Sequence, residues 1–421
     1  MPCAEDDFCL CFLMQENRSS LSKGNIDPTN QSFDGFRRQL PLVIITFGNM
    51  SLLGFINSMR GVSFPLIKNN FNVSYSDMGL MSALSSFAAV CFSIIAGLYM
   101  NCYGLKRTVI TAFCFLILGA CSLHFAFSFW MAVGFYLVLQ SGFGFFEISL
   151  NGTGVRIFTK KSGLMLNLLH FCYGAGAIGG PRFMGFMVNR LGLGWQDVYP
   201  LALVPAFILL AVTLMIRFPG REEAQASQPR PSFWMALKDP MVWLFGFILG
   251  IGGAIEGGSV AWSGLYLHDV YGLDPSTAGA LFVSIFYVLY TLSRFLSGFI
   301  IEKTGYMKSI LVSSVTIFVI FVAAFSLGRK GIYLLPVTGF FVAILWPTAL
   351  AISVGVFKER AQTVSSAMIC IAFSTSGIIQ YGFGLSNRFL GAAWGYRSCV
   401  LYSIILGVLL LLLWRRTKSL G

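Results

Sequence analysis

Twelve apolar runs of about 20 residues, separated by short polar turns, confine this chain to one physical setting, the lipid bilayer. They fall near residues 41–67, 76–100, 107–127, 130–158, 163–188, 196–216, 240–268, 276–301, 308–327, 332–357, 362–387 and 395–414. Backbone in hydrocarbon must satisfy its own hydrogen bonds, which a helix does within each segment. The runs therefore predict an all-α polytopic membrane protein with twelve transmembrane helices. Of its residues 56% are hydrophobic and 11% charged, against roughly 25% charged in a soluble domain. The net charge of +12 does not imply nucleic acid, because Lys and Arg form short clusters between the runs rather than one basic stripe. The expected partners are the bilayer and a small solute, with no nucleic acid.

The basic clusters set the topology. Seventeen Lys and Arg residues flank the termini and the loops on one side, those that follow the even-numbered runs, among them Arg37, Arg38, Lys106, Arg107, Lys303 and Lys308. The opposite loops hold six: Lys68, Arg190, Arg329, Lys330, Arg388 and Arg397. By the positive-inside rule both termini are cytoplasmic, in a plasma membrane of the bacterial inner-membrane type. Residues 1–38 are polar and read as a flexible tail without a signal peptide, with Met14 as a candidate start. Seven of the ten cysteines lie in or beside apolar runs, without the spacing of a disulfide framework or metal site, and Cys9 and Cys11 are too thin a pair to hold a metal. No cofactor or metal is expected.

The two halves of the chain repeat each other at an offset near 200 residues. Gly97, Asn101 and Gly104 answer Gly298, Glu302 and Gly305, and Asn189-Arg190 with Trp195 answers Asn387-Arg388 with Trp394. This duplication divides the chain into a tail at 1–38, a six-helix bundle at 39–216, a cytoplasmic linker at 217–238, a second bundle at 239–414 and a tail at 415–421. Parallel repeats of six helices, related by an axis along the membrane normal, are the pattern of major facilitator transporters.

Along its whole length the chain resembles that superfamily. The superfamily's loop signature after the second helix appears as Gly97, Asn101, Cys102, Gly104, Lys106 and Arg107, with the signature's acid and first base replaced by Asn101 and Cys102. A narrower resemblance is to the fucose:proton symporters and related hexose transporters. Their Gly-x-x-Glu-x3-Asn, Leu-Asn-Leu and Gly-Ala-Ile elements stand here as Gly144, Glu147 and Asn151, then 166–168, then 176–178. The resemblance implies that Glu147 takes part in proton coupling and sugar binding. It puts His170 where that family has a glutamine, and Arg60 and Gly61 where it has an Asn-Asp pair before the first-helix proline, here Pro65.

Of the seventeen acids, all but Glu147 and Glu256 lie in tails, loops or helix ends. A carboxylate in hydrocarbon costs several kcal/mol unless paired, hydrated or neutralised. On the fourth helix Gln140, Gly144, Glu147 and Asn151 share one face, and on the seventh Gly252, Glu256, Ser259 and Ser263 repeat that spacing with Trp262 alongside. Arg60 on the first helix is expected to pair with Glu147, the nominated proton-coupling unit together with His170; the alternative is that Arg60 snorkels to the interface. Candidate solute-binding residues are Gln140, Asn151, Asn167, His170, Glu256, Trp262, Arg294, Trp346 and Gln380, the tryptophans as platforms for a sugar ring. Each also has a plain structural reading, as a packed or interhelical hydrogen-bonding side chain.

The function these residues suggest is secondary active transport: proton-coupled uptake of a hexose or similar polyhydroxylated solute by alternating access, performed by a monomer. Export of an amphipathic compound or lipid is the alternative, and a non-transporting receptor a further one. An enzyme is not expected, since the chain lacks a P-loop, an HExxH helix and a GxSxG turn.

Overall fold

The computed structural model describes residues 28–157, 162–218 and 233–418, and no strand occurs among them. Eleven helical segments are long and apolar enough to cross a membrane: Leu40–Phe71, Tyr75–Tyr103, Leu105–Leu123, Phe129–Gly154, Trp195–Met215, Pro240–Ala261, Pro275–Ser297, Tyr306–Ser326, Gly328–Phe357, Val364–Leu390 and Trp394–Lys418. The helix Ser162–Leu191, of 30 residues, fits between the fourth and sixth of the twelve in chain order. The helix carrying the first span starts at Pro28, so residues 28–38, expected in the tail, are helical; proline's fixed φ suits a helix's first turn. Cys9, Cys11, Met14 and most of the expected linker lie outside the described residues.

The duplication is visible in which helices touch. In the first half the first span packs on the fifth, the second and third pack on the fourth, and the sixth packs on the first and third. The second half repeats this pattern: seventh on eleventh, eighth and ninth on tenth, twelfth on seventh and ninth. Across the interface the second span meets the eleventh and the fifth meets the eighth, two contacts that the same exchange of halves interconverts. The molecule is thus two pseudo-symmetric six-helix bundles. The repeated loop glycines Gly104 and Gly305 end the second and eighth spans with φ of 82° at both, a left-handed conformation that glycine adopts without steric penalty.

The first and seventh spans are each broken. The first is interrupted at Met59, between helices ending at Ser58 and starting at Arg60, and the seventh at Trp262, between helices ending at Ala261 and starting at Ser263. Pro65, inside the helix that follows the first break, has no N–H to donate toward the Gly61 carbonyl. The freed carbonyl of Gly61 faces Gly264 across the interface, where a Cβ on Gly264 would overlap it. Only a bare backbone permits that approach.

At the end opposite the termini the halves are tied together. Tyr75 donates to Asp269 Oδ2 at 2.7 Å, Lys68 Nζ stands 3.9 Å from the same carboxylate, Arg388 donates to Ser76 Oγ at 3.0 Å, and Ser284 donates to the Ile178 carbonyl at 2.9 Å. This end is sealed. The second span starts there with a capping box, in which Ser74 and Asp77 each bond the other's backbone N–H.

Candidate functional site

A cavity of about 210 Å³ lies between the bundles, lined from both halves. The fourth span contributes Gln140, Gly144 and Glu147, because their spacing aligns them on one helical face. Asn151, one turn further, donates to Glu147 Oε1 at 2.9 Å and so holds the carboxylate from behind rather than lining the cavity. The fifth span adds His170 and Tyr173, the first adds Asn57 and Arg60, and Asn57 donates to Tyr173 at 2.7 Å.

From the second half come Glu256, Tyr290, Arg294, Trp346 and Gln380. Arg294 Nη2 donates to the Tyr290 hydroxyl at 2.6 Å, and that hydroxyl donates to Glu256 Oε2 at 3.3 Å. Arg294 lies 19 residues from the end of its span opposite the termini and Glu147 lies 18 from the same end of its own, so the two stand at similar depth. Among the described residues none of these acids and guanidiniums closes to ion-pair contact. The cavity therefore holds two cations and two acids, one of each sign from each half, near one another but unclasped.

The expected pairing of Arg60 with Glu147 is not present. Arg60 lies 11 residues from the far end of its span and Glu147 lies 18 from the far end of its own. At a rise of 1.5 Å per residue this separates them by about 10 Å of depth. Arg60 instead reaches Gly257, where a Cβ would stand 3.6 Å from its Nη2. The seventh span also presents a different face from the one its spacing suggested. Gly253, Glu256 and Gly257 line the cavity, while Ser259 and Ser263 are fully buried and Gly252 turns toward Leu345. Gly252, Glu256 and Ser259 lie on one unbroken stretch, Pro240–Ala261, so the cavity meets a narrower face than the spacing suggested; Ser259 accepts from the Tyr396 hydroxyl at 3.4 Å, and Ser263 lies beyond the break.

The two tryptophans separate in the same way. Trp346 lines the cavity beside Phe373. Trp262, expected as a second platform, is fully buried against Phe383 and donates from Nε1 to Gln380 Oε1 at 2.7 Å. It holds Gln380, whose Nε2 donates to the Ala254 carbonyl at 3.4 Å. The side chain of Asn167 lies outside what is described. Asn57, Tyr173 and Ser376 line the cavity without having been singled out, although each lies one helical turn from a residue that was: Arg60, His170 and Gln380.

A family model described as the Major Facilitator Superfamily matches residues 46–380. The chain belongs to the major facilitator superfamily, a class of membrane transporters. Among solved structures it is similar to the Escherichia coli fucose:proton symporter, with a TM-score of 0.62 and 17% identity over 87% of this chain and 97% of that one. It is similar also to a D-xylose-proton symporter, with a TM-score of 0.69 and 13% identity over 87% and 97%. At such identities the likeness establishes the fold. A curated relative, an uncharacterised MFS-type transporter of Yersinia pestis, is 22% identical over 175 residues, which make up 42% of this chain and 44% of that protein. The match thus spans less than half of that relative's length.

Proposed function

We propose that this chain takes up a small polyhydroxylated solute together with a proton, by alternating access of one central cavity. The observation that carries the reading is that Glu147 and Glu256 both face a cavity shared by the two bundles, without an ion-pair partner in contact. A group of this kind can take and release a proton as the two halves rock about it. The cavity's size supports a small solute over a large amphipathic one, since about 210 Å³ falls below the roughly 300–1,000 Å³ of drug-sized pockets. Trp346 offers an aromatic face, and Gln140, Asn57 and Gln380 offer amides to hydroxyl groups. The similar folds named for fucose:proton and D-xylose-proton symport support the same chemistry. In this reading both termini are cytoplasmic, the membrane is the bacterial inner membrane, and the sealed end faces outward.

Proteoliposomes loaded with solute separate coupling from movement. Accumulation should require an inward proton gradient, and Glu147→Gln should abolish accumulation while preserving counterflow exchange, because exchange needs binding and rocking but no net proton release. Uphill uptake by the Gln variant at the wild-type level would remove Glu147 from coupling. Single cysteines at Arg329 and Lys303 test the orientation: the first should react with an impermeant reagent from outside and the second only from inside.

A further inference from the structure

We infer that the solute carries an anionic group, a carboxylate or a phosphate on a hydroxylated frame, received by the guanidiniums that face the cavity, Arg294 and Arg60. The inference rests on the transport reading above and narrows its substrate class.

Arg294 is 6% exposed, yet its Nε and Nη1 are buried without a protein acceptor, and Arg60 Nε is in the same condition. Its one hydrogen-bonded nitrogen, Nη2, serves the neutral hydroxyl of Tyr290. Burying a guanidinium is costly unless its charge is matched and its N–H groups are bonded. At the sealed end the partly buried cation Lys68 does have its partners, Asp269 and the ring of Tyr75. Two guanidiniums in one solute-sized space, each with unused donors, fit an acceptor that arrives from outside. The planar fork of a guanidinium matches a carboxylate or phosphate in geometry as well as charge.

Charge balance leads to the same class. With both acids ionised, Arg60, Arg294, Glu147 and Glu256 sum to zero, and each proton taken up leaves one positive charge uncompensated. A neutral sugar entering with a proton would leave that charge in place in a low-dielectric site. An anion entering with a proton cancels it, so the pair crosses as a neutral load. The hydroxylated frame is indicated by the acceptors Asn57 Oδ1 and Gln140 Oε1, which are also buried without a partner on cavity-lining residues. They suit hydroxyl donors and would repel an anion, so the anionic group goes to the arginines and the hydroxyls to the amides.

The test is binding and uptake by the purified full chain with D-glucuronate, D-glucose 6-phosphate, D-glucose and L-lactate. Glucuronate or glucose 6-phosphate should raise the apparent melting temperature and compete for uptake, and glucose should do neither; which of the two acts identifies carboxylate or phosphate. Arg294→Gln and Arg60→Gln should weaken the active anion roughly ten- to a hundred-fold, the worth of charge-assisted hydrogen bonds. If Arg294→Gln does not fold, Arg294→Lys keeps the charge but not the fork, and should weaken binding while preserving the preference for the anion. Glucose bound and accumulated as well as glucuronate overturns the inference and leaves the transport reading standing. Lactate bound as tightly as glucuronate supports the anionic group and overturns the polyhydroxylated frame. Absence of binding, uptake and exchange for every probe overturns both.

Discussion

The breaks in the first and seventh spans are the same device used in two ways. Met59 and Trp262 are 203 residues apart, and so are Gly61 and Gly264, in step with the duplication that pairs Gly104 with Gly305. The two equivalent glycines meet across the interface, so both halves bring the same backbone feature to their shared axis. The side chains beside them differ. The break residues Met59 and Trp262 are both buried in the core, where Trp262 fastens Gln380, but the next position differs: the first break carries Arg60 into the cavity, whereas the second has the buried Ser263. The backbone feature is repeated in both halves, while the side chain that follows it is not.

The largest expected effect lies where the halves are alike. Gly264→Val should prevent the sealed end from closing, since its Cβ would overlap the Gly61 carbonyl. Overpacking of this kind costs about 1–3 kcal/mol, a shift of roughly five- to 150-fold in the population of the sealed state. A cysteine at Ser76 should become reactive to an outside reagent, and uptake should fall; an unchanged labelling rate would mean that the two breaks do not meet at a seal.

Where the halves differ, paired substitutions should give opposite profiles. Trp262→Phe leaves Gln380 Oε1 without its donor and should cost roughly 1–3 kcal/mol of stability, with solute affinity changed only a few-fold. Arg60→Gln should do the reverse, lowering affinity strongly while thermal stability stays within about 1 kcal/mol of the parent, because it removes a cation that has no ion-pair contact to lose. Denaturation in detergent and binding assays on both variants would separate the roles; equal profiles would erase the distinction drawn here.

The smallest effect belongs to the polar tie at the sealed end. Asp269→Asn removes the charge facing Lys68 at 3.9 Å but retains an acceptor for Tyr75. Partly exposed pairs of this kind contribute about 0–1 kcal/mol, so outside labelling at Ser76 should rise no more than about fivefold. A change as large as that of Gly264→Val would transfer the seal from backbone packing to this carboxylate.

Much of the architecture was legible in the sequence because it depends on local quantities. Run length gives the number of spans, and the offset of Gly97–Gly104 from Gly298–Gly305 gives the duplication. The spacing of Gln140, Gly144 and Glu147 gave their common face correctly, since that helix runs unbroken through them. The same reasoning failed on the seventh span, where Ser259 and Ser263 are buried and Trp262 marks a break. The helix runs unbroken to Ala261, so the spacing fixed a common face there but not which neighbour that face meets: Ser259 turns to Tyr396 rather than to the cavity. The Arg60–Glu147 pairing failed for a simpler reason: their distances from the far ends of their spans already set them at different depths.

The sequence by itself determined that this is a twelve-span, duplicated, major facilitator chain with two acids, Glu147 and Glu256, and with Arg60 and Arg294 among the arginines inside its apolar runs. The tertiary structure decided how they are arranged: Arg60, Arg294, Glu147 and Glu256 line one cavity with Arg294 rather than Arg60 at the depth of Glu147, Trp346 rather than Trp262 is on the lining, and Asn57 and Tyr173 are members that no motif announced. The physical reason is that lipid and protein core are both apolar, so hydropathy does not say which side of a membrane helix faces which. That choice is made by interhelical packing, by close glycine contacts and by the breaks that turn one half of a helix against the other.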